Sequence, residues 1–420
     1  MADRLVVCAA GAVMGIVEFK AGRVRFAYDD VWDNFPLSTS LPVAGGAYEH
    51  DRVYPFLANL LPDNENTLAA WAKEFHSSTH PFALLRHKGK DCPGAIQLVL
   101  EDEVEPLLTG RNDHFEPLSH SEIASRLLEI KEAAKTGRRT THSGQFSLAG
   151  AQPKLSLARH EENWGVSHGR IPTTHIIKPY VDEDGLELNE HFCLRLAGAL
   201  GLPAARTWIE TFDDAVALVV ERYDRDPSMV PTSRIHQEDL CQALGIPPSA
   251  KYQNEGGPSA SDCIRAIAES SDRPGEDSMR FVDAFLLQFI LAATDAHAKN
   301  YSLLLPDATS VRFTPLYDVA SGLPHLDLAS RRIKFAMKIG AHYSIRDVRR
   351  GDWEKQARAL RVPFPSLRDR LIELTQLIPA AAHSLLSECR DQGLTHPVLP
   401  RLTKMLTERC QGLEREYRLI

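Results

Sequence analysis

Thr294-Asp295-Ala296-His297-Ala298-Lys299-Asn300 lies between an apolar stretch ending at Ala293 and an apolar run beginning at Tyr301. A loop with no task has little reason to place an acid, an imidazole, an ammonium and an amide between two elements suited to burial. Asp295 and Asn300 stand five positions apart. At that spacing a phosphoryl-transfer loop carries both a base for the acceptor hydroxyl and an amide ligand for a metal. Asp295 is therefore expected to accept the hydroxyl proton. The amide oxygen of Asn300 is a hard donor that suits Mg2+. A second acid, Asp318, closes Thr314-Pro315-Leu316-Tyr317-Asp318, 18 positions after Asn300 and far enough on for a hairpin to return it to the same ion. Two such oxygens, with triphosphate oxygens and water, make up an Mg2+ shell.

Other parts of a phosphoryl-transfer site lie upstream. Lys178 ends the apolar run Thr174-His175-Ile176-Ile177-Lys178, as a phosphate-pairing lysine should, and Glu187 and Glu190 follow on a helix. Glu190 is the preferred partner because it lies further inside that helix. The small residues of Ser147-Leu148-Ala149-Gly150-Ala151-Gln152-Pro153-Lys154 let backbone N–H groups approach phosphates, although the loop has one glycine and no GxGxxG pattern. Glu221 and Tyr223 could offer backbone groups to adenine, and Asp224 could contact the ribose. Each residue alone has an ordinary explanation: turn or cap residues for Asp and Asn, a solvated strand end for Lys, a satisfied core imidazole for His297. Their order along the chain is what favours chemistry, because phosphoryl transfer needs positioning and charge neutralisation above all.

These residues need elements to hold them. Leu5–Val7, Ile16–Phe19 and Val24–Ala27 read as a β-meander, and Glu65–Phe75 as a helix capped by Asp63 or Asn64. Apolar spacing predicts a helix over residues 121–135. Leu155–Leu157, Thr174–Lys178 and Ala215–Val220 read as strands, and Glu187–Leu200 as a helix stopped by Gly201. Beyond residue 236 the pattern turns helical, over Gln237–Leu244, Ala260–Ser270, Met279–Thr294, Trp353–Leu360, Ser366–Ile378, Ala380–Arg390 and Pro397–Tyr417. The fold class expected is α+β and bilobal. It comprises a β-rich module over 1–107, a β-rich lobe over 108–235 with the phosphate loop, and an all-helical lobe over 236–420 with the catalytic loop.

With 420 residues, 43% hydrophobic and 25% charged, the chain suits two or more globular domains. Its formal net charge of −8 excludes a protein that coats nucleic acid non-specifically, so any DNA contact needs a local basic patch. Cys8, Cys92, Cys193, Cys241, Cys263, Cys389 and Cys410 include no CxxC pair, which argues against a zinc ribbon and fits scattered thiols in a reducing cytoplasm. The run Leu5–Val17 has the look of a signal-peptide core, but the meander explains it better. The longest apolar candidate for a membrane span, Phe281–Ala293, is broken by Asp283 and Gln288, so no membrane association is expected.

At these residues the sequence resembles the HipA family, the kinase toxins of bacterial type II toxin–antitoxin modules. The resemblance covers nearly the whole chain. It rests on Ser147–Lys154, Thr174–Lys178, Val220-Glu221-Arg222-Tyr223-Asp224-Arg225, Gln237-Glu238-Asp239, Ala293–Ser302, Thr314–Asp318 and the amino-terminal Leu60-Leu61-Pro62-Asp63. It implies a serine/threonine protein kinase that uses ATP and Mg2+, with Asp295 as proton acceptor. It implies that Ala149–Lys154, Lys178, Glu221–Tyr223, His297, Ala298, Lys299, Asn300, Tyr317 and Asp318 line the ATP site. It implies that Ser147 is an autophosphorylation site, where phosphate adds roughly two negative charges beside the nucleotide phosphates and switches the kinase off. Family members bind a small helix-turn-helix antitoxin of the HipB type and, through it, operator DNA. Their known targets include aminoacyl-tRNA synthetases such as glutamyl-tRNA synthetase. Arg358 and Arg361, one helical turn apart in the basic stretch 346–370, match positions the family places near DNA phosphates; a solvated helix face is the equal alternative. Pro153 departs from the pattern, since it removes one N–H from the phosphate loop. A catalytically quiet co-repressor acting by antitoxin and DNA binding is a second reading. A small-molecule kinase is a third.

Overall fold

The amino-terminal apolar run folds as a meander in the computed structural model, which describes residues 3–136, 152–180, 184–229, 232–325 and 333–418. Strands Asp3–Ala9, Ala12–Lys20 and Arg23–Tyr28 pair antiparallel through two two-residue turns. Both turns, Ala10-Gly11 and Ala21-Gly22, have positive φ at each position, the hairpin geometry whose twist matches the strands. Gln97–Val99 and Ala47–Tyr48 extend the sheet at its two edges. The helix Glu65–Glu74 is capped by Asn64, whose side chain accepts from the N–H groups of Asn66 and Thr67. A helix that the sequence hid, His50–Asn59, carries Pro55 in its interior. Proline there removes one helical hydrogen bond, and at the carboxyl end of the helix the Asn59 side chain donates to the Pro55 carbonyl at 2.8 Å.

Two compact units result. One takes in Met1–Pro179, Glu210–Ser249 and Ser302–Arg312, the other Tyr180–Ile209, Ala250–Tyr301 and Phe313–Ile420. These units cut the chain differently from the three consecutive segments expected. The helix Leu186–Ala199 belongs to the second unit, while His236–Asp239 and Ser302–Leu305 belong to the first. The segment 236–420 is also not wholly helical. Gln237–Leu244 begins as the strand His236–Asp239, which pairs with Ser302–Leu305, and Lys334–Ile339 pairs with His342–Ser344. Helix periodicity and a short apolar strand cannot be separated over so few residues.

In the first unit a six-stranded sheet holds Lys178 in an inner strand. His175–Pro179 lies between Ala215–Glu221 and Leu155–His160, followed outward by Asn163–His168 and His114–Pro117. Lys178 lies opposite Leu218, and Ile177 lies opposite both Val219 and Leu155. The strand Ala215–Glu221 runs on into a buried cluster of opposite charges. Asp224 bonds both Arg222, at 2.8 Å, and Arg225, at 3.0 Å, while Asp91 bonds Arg225 and Arg234, each at 3.1 Å. Burial alone would raise the pKa of Asp224; the Arg222 and Arg225 guanidiniums outweigh it and hold the carboxylate well below its ordinary range. Removing one partner would leave an uncompensated buried charge, which is strongly destabilising.

The same unit buries another acid, with no ion pair to it among the described residues. Glu238, 1% exposed, accepts from the Thr39 N–H at 2.8 Å and from the Ser38 hydroxyl, tying residues 38–40 to the strand His236–Asp239. His236, also fully buried, stacks on Phe35 and donates to the Leu37 carbonyl at 3.0 Å. Burial pushes the Glu238 carboxyl up to about 7. A carboxyl raised in the fold above its unfolded value stabilises below the unfolded value and loses that contribution as pH rises through the folded one. Wild type should therefore lose about 2–3 kcal/mol relative to Glu238→Gln as pH goes from 5 to 8. The check is the difference between their denaturant-unfolding free energies across that range; a constant difference would refute it.

Candidate active site

Within the second unit, the helix Pro274–Ile290 is buried along its last turns, and its end fixes where the candidate catalytic loop begins. The Ala292 N–H bonds the Phe289 carbonyl at 3.1 Å and the Ala293 N–H bonds the Gln288 carbonyl at 2.9 Å. Ala292 takes φ +52°, the left-handed terminator usually given to glycine. From the helix Val398–Arg418, Arg409 donates to the Ile290 and Phe289 carbonyls, each at 2.9 Å, with its guanidinium 5.0 Å from the Phe289 ring centroid. Burial lowers the Arg409 pKa to about 10, which leaves it charged at neutral pH. The Leu291 carbonyl accepts from the Ser321 hydroxyl at 2.7 Å.

The chain emerges from this stop into the loop. Asp295 is the exposed member, its side chain 67% accessible, whereas His297, Ala298, Lys299 and Asn300 are buried. The Asn300 side-chain N–H2 donates to the Asp295 carbonyl at 2.7 Å, and its backbone N–H donates to the His297 carbonyl at 2.9 Å. That bond fixes which way the amide points, with Oδ1 turned from the carbonyl its nitrogen meets. The His297 Nε2 lies 3.7 Å from Asp295 Oδ1, and the Tyr252 hydroxyl donates to the same oxygen.

The residue before Asp318 touches this loop. The Tyr317 hydroxyl donates to the Lys299 carbonyl at 2.7 Å, which sets residue 317 against the turn that contains Asn300. Leu316 is held by backbone bonds with Pro203 and Ala205, each 2.8 Å. Asp318 itself sits at φ +54°, a strained conformation for which Asp is among the better suited residues. Beyond it, Ser321 is gripped on both sides by Asn189, which is fully buried. The Asn189 amide donates to the Ser321 carbonyl at 2.7 Å and its oxygen accepts from the Ser321 N–H at 2.9 Å. The chemistry of the donors, a carboxylate and an oriented amide oxygen, fits a hard divalent cation. Among the described residues no group of three or more His, Cys, Asp or Glu gathers, so two protein oxygens would leave phosphate and water to fill the shell.

The remaining expected residues fall as follows. Ser147, Ala149, Gly150 and Ala151 lie outside the described residues; Gln152 is exposed, and Pro153 and Lys154 are half-buried. Lys178 and Glu190 are both buried, in different units. Glu221 and Tyr223 are half-buried. Three expectations are corrected. Asp224 does not serve a ribose, because its carboxylate is spent on the Gly94 N–H, Arg222 and Arg225. The Arg222 side chain is likewise buried on Asp224, Thr173 and the Cys92 carbonyl, and its N–H on Thr174. Arg358 and Arg361 do not share a helix face: the helix Arg350–Ala359 ends first, and Arg361 is its left-handed terminator at φ +56°. Tyr252, Asn189, Ser321 and Arg409 were not singled out from sequence. Only the paired glycines after Tyr252 hinted that its segment makes a tight turn.

Residues 5–99 match the model of the HipA N-terminal domain, and residues 146–384 match that of the HipA-like C-terminal domain, which alone spans more than half of the chain. The chain belongs to the HipA family. The candidate kinase Y4mE of Sinorhizobium fredii is 34% identical over 393 residues, 91% of each chain. The serine/threonine-protein kinase toxin HipA of Shewanella oneidensis is 29% identical over 332 residues, 74% of this chain and 73% of that one. A solved Shewanella oneidensis structure, of HipA with HipB and its operator DNA, superposes with a TM-score of 0.82 at 25% identity over 99% of both chains. The α+β HipA fold is thus this chain's fold, and its family is one of kinases. Within that fold the Asn189 clasp makes a specific demand. Asn189→Ala strips two partners from the buried backbone of Ser321 and should cost about 2–4 kcal/mol, read as a lowered denaturant midpoint with unchanged slope. A midpoint within error of wild type would refute it.

Proposed function

We propose that the protein is an ATP- and Mg2+-dependent serine/threonine protein kinase, the toxin of a type II toxin–antitoxin pair. The carrying observation is the division of labour in the loop 294–300. Asp295 projects to solvent, while its own carbonyl orients Asn300 and the Lys299 carbonyl holds Tyr317 beside Asp318. Asp295 accepts the proton of a protein hydroxyl as the O–P bond to the γ-phosphoryl group forms and ADP leaves. Asn300 and Asp318 hold Mg2+, which neutralises phosphate charge when bound. Lys178 anchors phosphates; the loop through Gln152, Pro153 and Lys154 and the backbone at Glu221 and Tyr223 receive the nucleotide. Ser147 is an autophosphorylation site, and an aminoacyl-tRNA synthetase is a fitting protein target.

The partners proposed are a HipB-type antitoxin and, through it, operator DNA. Much of the basic stretch 346–370 is engaged internally: Arg350 pairs with Glu354, Arg368 with Asp369, and Arg370 with Asp283 and Glu373. Arg358 and Arg361 are exposed, and among the described residues neither forms an ion pair. Such cations suit phosphates.

Two measurements test the reading. Asp295→Asn should retain ATP binding but lose at least about 100-fold in phosphate transfer to Ser147, the scale of a general base; transfer at the wild-type rate would overturn the assignment. Arg358→Gln with Arg361→Gln should weaken operator binding by the antitoxin complex and reduce its log–log salt slope by about 2. An unchanged slope would remove both residues from the interface.

A further inference from the structure

The catalytic loop has one contact that neither the family motifs nor the proposed roles use. The Tyr252 hydroxyl donates to Oδ1 of Asp295, the oxygen that His297 Nε2 also approaches at 3.7 Å. Its ring stands edge-on to His297, with centroids 5.1 Å apart and planes at 80°. Among the described residues nothing else bonds the Asp295 carboxylate, so the contacts fall on one oxygen and leave Oδ2 open.

Tyr252 is not a side chain that has drifted into reach. Its carbonyl accepts from the N–H groups of both Glu255 and Gly257, each at 3.0 Å, closing a tight turn. A Cβ at position 257 would come within 2.0 Å of the Ala250 carbonyl oxygen, so the turn requires glycine there. The next residue, Gln253, accepts from the Lys338 N–H at 2.7 Å and anchors the turn to the strand Lys334–Ile339. The Lys251 ammonium lies 5.3 Å from the Tyr252 ring centroid. The turn is therefore fixed at both ends, and the hydroxyl it presents is aimed.

Accepting the kinase reading above, we infer that Tyr252 is a positioning residue for Asp295: it holds Oδ1 so that Oδ2 faces the acceptor hydroxyl. An exposed carboxylate with free rotation would sample its rotamers and spend only part of its time with an oxygen toward the acceptor. A charge-assisted hydrogen bond from a rigid turn removes that freedom. The alternative for the same contact is a plug, in which Tyr252 occupies the place of the acceptor hydroxyl and must leave before transfer.

The two differ in sign. Tyr252→Phe keeps the ring against His297 and deletes the hydroxyl. Positioning predicts a kcat for protein phosphorylation lowered about 10- to 30-fold, with KM for ATP within about twofold of wild type and an unchanged melting temperature. A raised kcat would establish the plug and overturn the inference, as would an unchanged kcat. A fall in kcat accompanied by a raised KM for ATP and a lowered melting temperature would mark a merely structural role and overturn it too. The variant is compared with wild type and Asp295→Asn in the same assay. A wild type no more active than Asp295→Asn would refute the kinase reading and this inference with it, whereas an active wild type matched by Tyr252→Phe would refute the inference alone.

Discussion

The end of the buried helix Pro274–Ile290 is the constraint on which the proposed catalytic loop depends. A helix leaves its last carbonyls without internal partners, and in a buried setting each must find another donor or cost about 1–3 kcal/mol. Here they are all met. Leu291 N–H serves Leu287, Ala293 N–H serves Gln288, Ala292 N–H and Arg409 serve Phe289, Arg409 serves Ile290, and the Ser321 hydroxyl serves Leu291. Against a total stability of about 5–15 kcal/mol, few other exits for the chain are open. The direction in which residues 292–300 leave the helix is thus a consequence of hydrogen-bond satisfaction.

The donors at that helix end also join parts of the sequence that the chemistry needs together. Ser321 lies three residues past Asp318, so the bond that satisfies Leu291 also holds the segment after the proposed metal ligand. Asn189 then closes on Ser321 from the helix Leu186–Ala199. The strain of Asp318 at φ +54° is sustained by these fixed neighbours, with Tyr317 on one side and Ser321 on the other. Rigid support matters because phosphoryl transfer depends on where charges stand more than on any covalent partner.

How much of this could be read from sequence follows from the range of each signal. The meander, the Asn64 cap, the helix Leu186–Ala199 and the strand that carries Lys178 were legible because turn, cap and periodicity signals are local. Two helices with a proline deep in their interior were misread: His50–Asn59 was missed, and Phe364–Asp391 was divided at Pro379. A single proline argues against a helix locally, and packing along the rest of the element overrides it. The motif Glu221-Arg222-Tyr223-Asp224 was recognised as a unit, but a motif does not say which members face a ligand. Arg222 and Asp224 are 5% and 3% exposed and satisfy each other with Asp91 and Arg225, which a one-dimensional reading cannot foresee. Arg409 and Tyr252 act over separations of 119 and 43 residues, with no local mark on either.

Burial separates the roles within the loop more sharply than residue type does. An acid, an imidazole, an ammonium and an amide in seven residues read at first as four reactive groups. In the fold three of them are buried: His297 at 3%, Lys299 at 5% and Asn300 at 7% exposure. A buried polar group is stable only when its bonds are made, and bonds already made restrict it to a fixed orientation. Asn300 illustrates this, since its N–H2 is committed to the Asp295 carbonyl before any ligand arrives. A proton acceptor has the opposite requirement. It must reach a hydroxyl on another molecule and so must keep an oxygen in the open, which among the polar residues 295–300 only Asp295 does. On the proposed reading, the loop reconciles the two demands by burying what orients and exposing the carboxylate proposed to accept the proton. It follows that the exposed carboxylate is the least restrained polar group of the site, and its orientation has to be supplied from outside the loop.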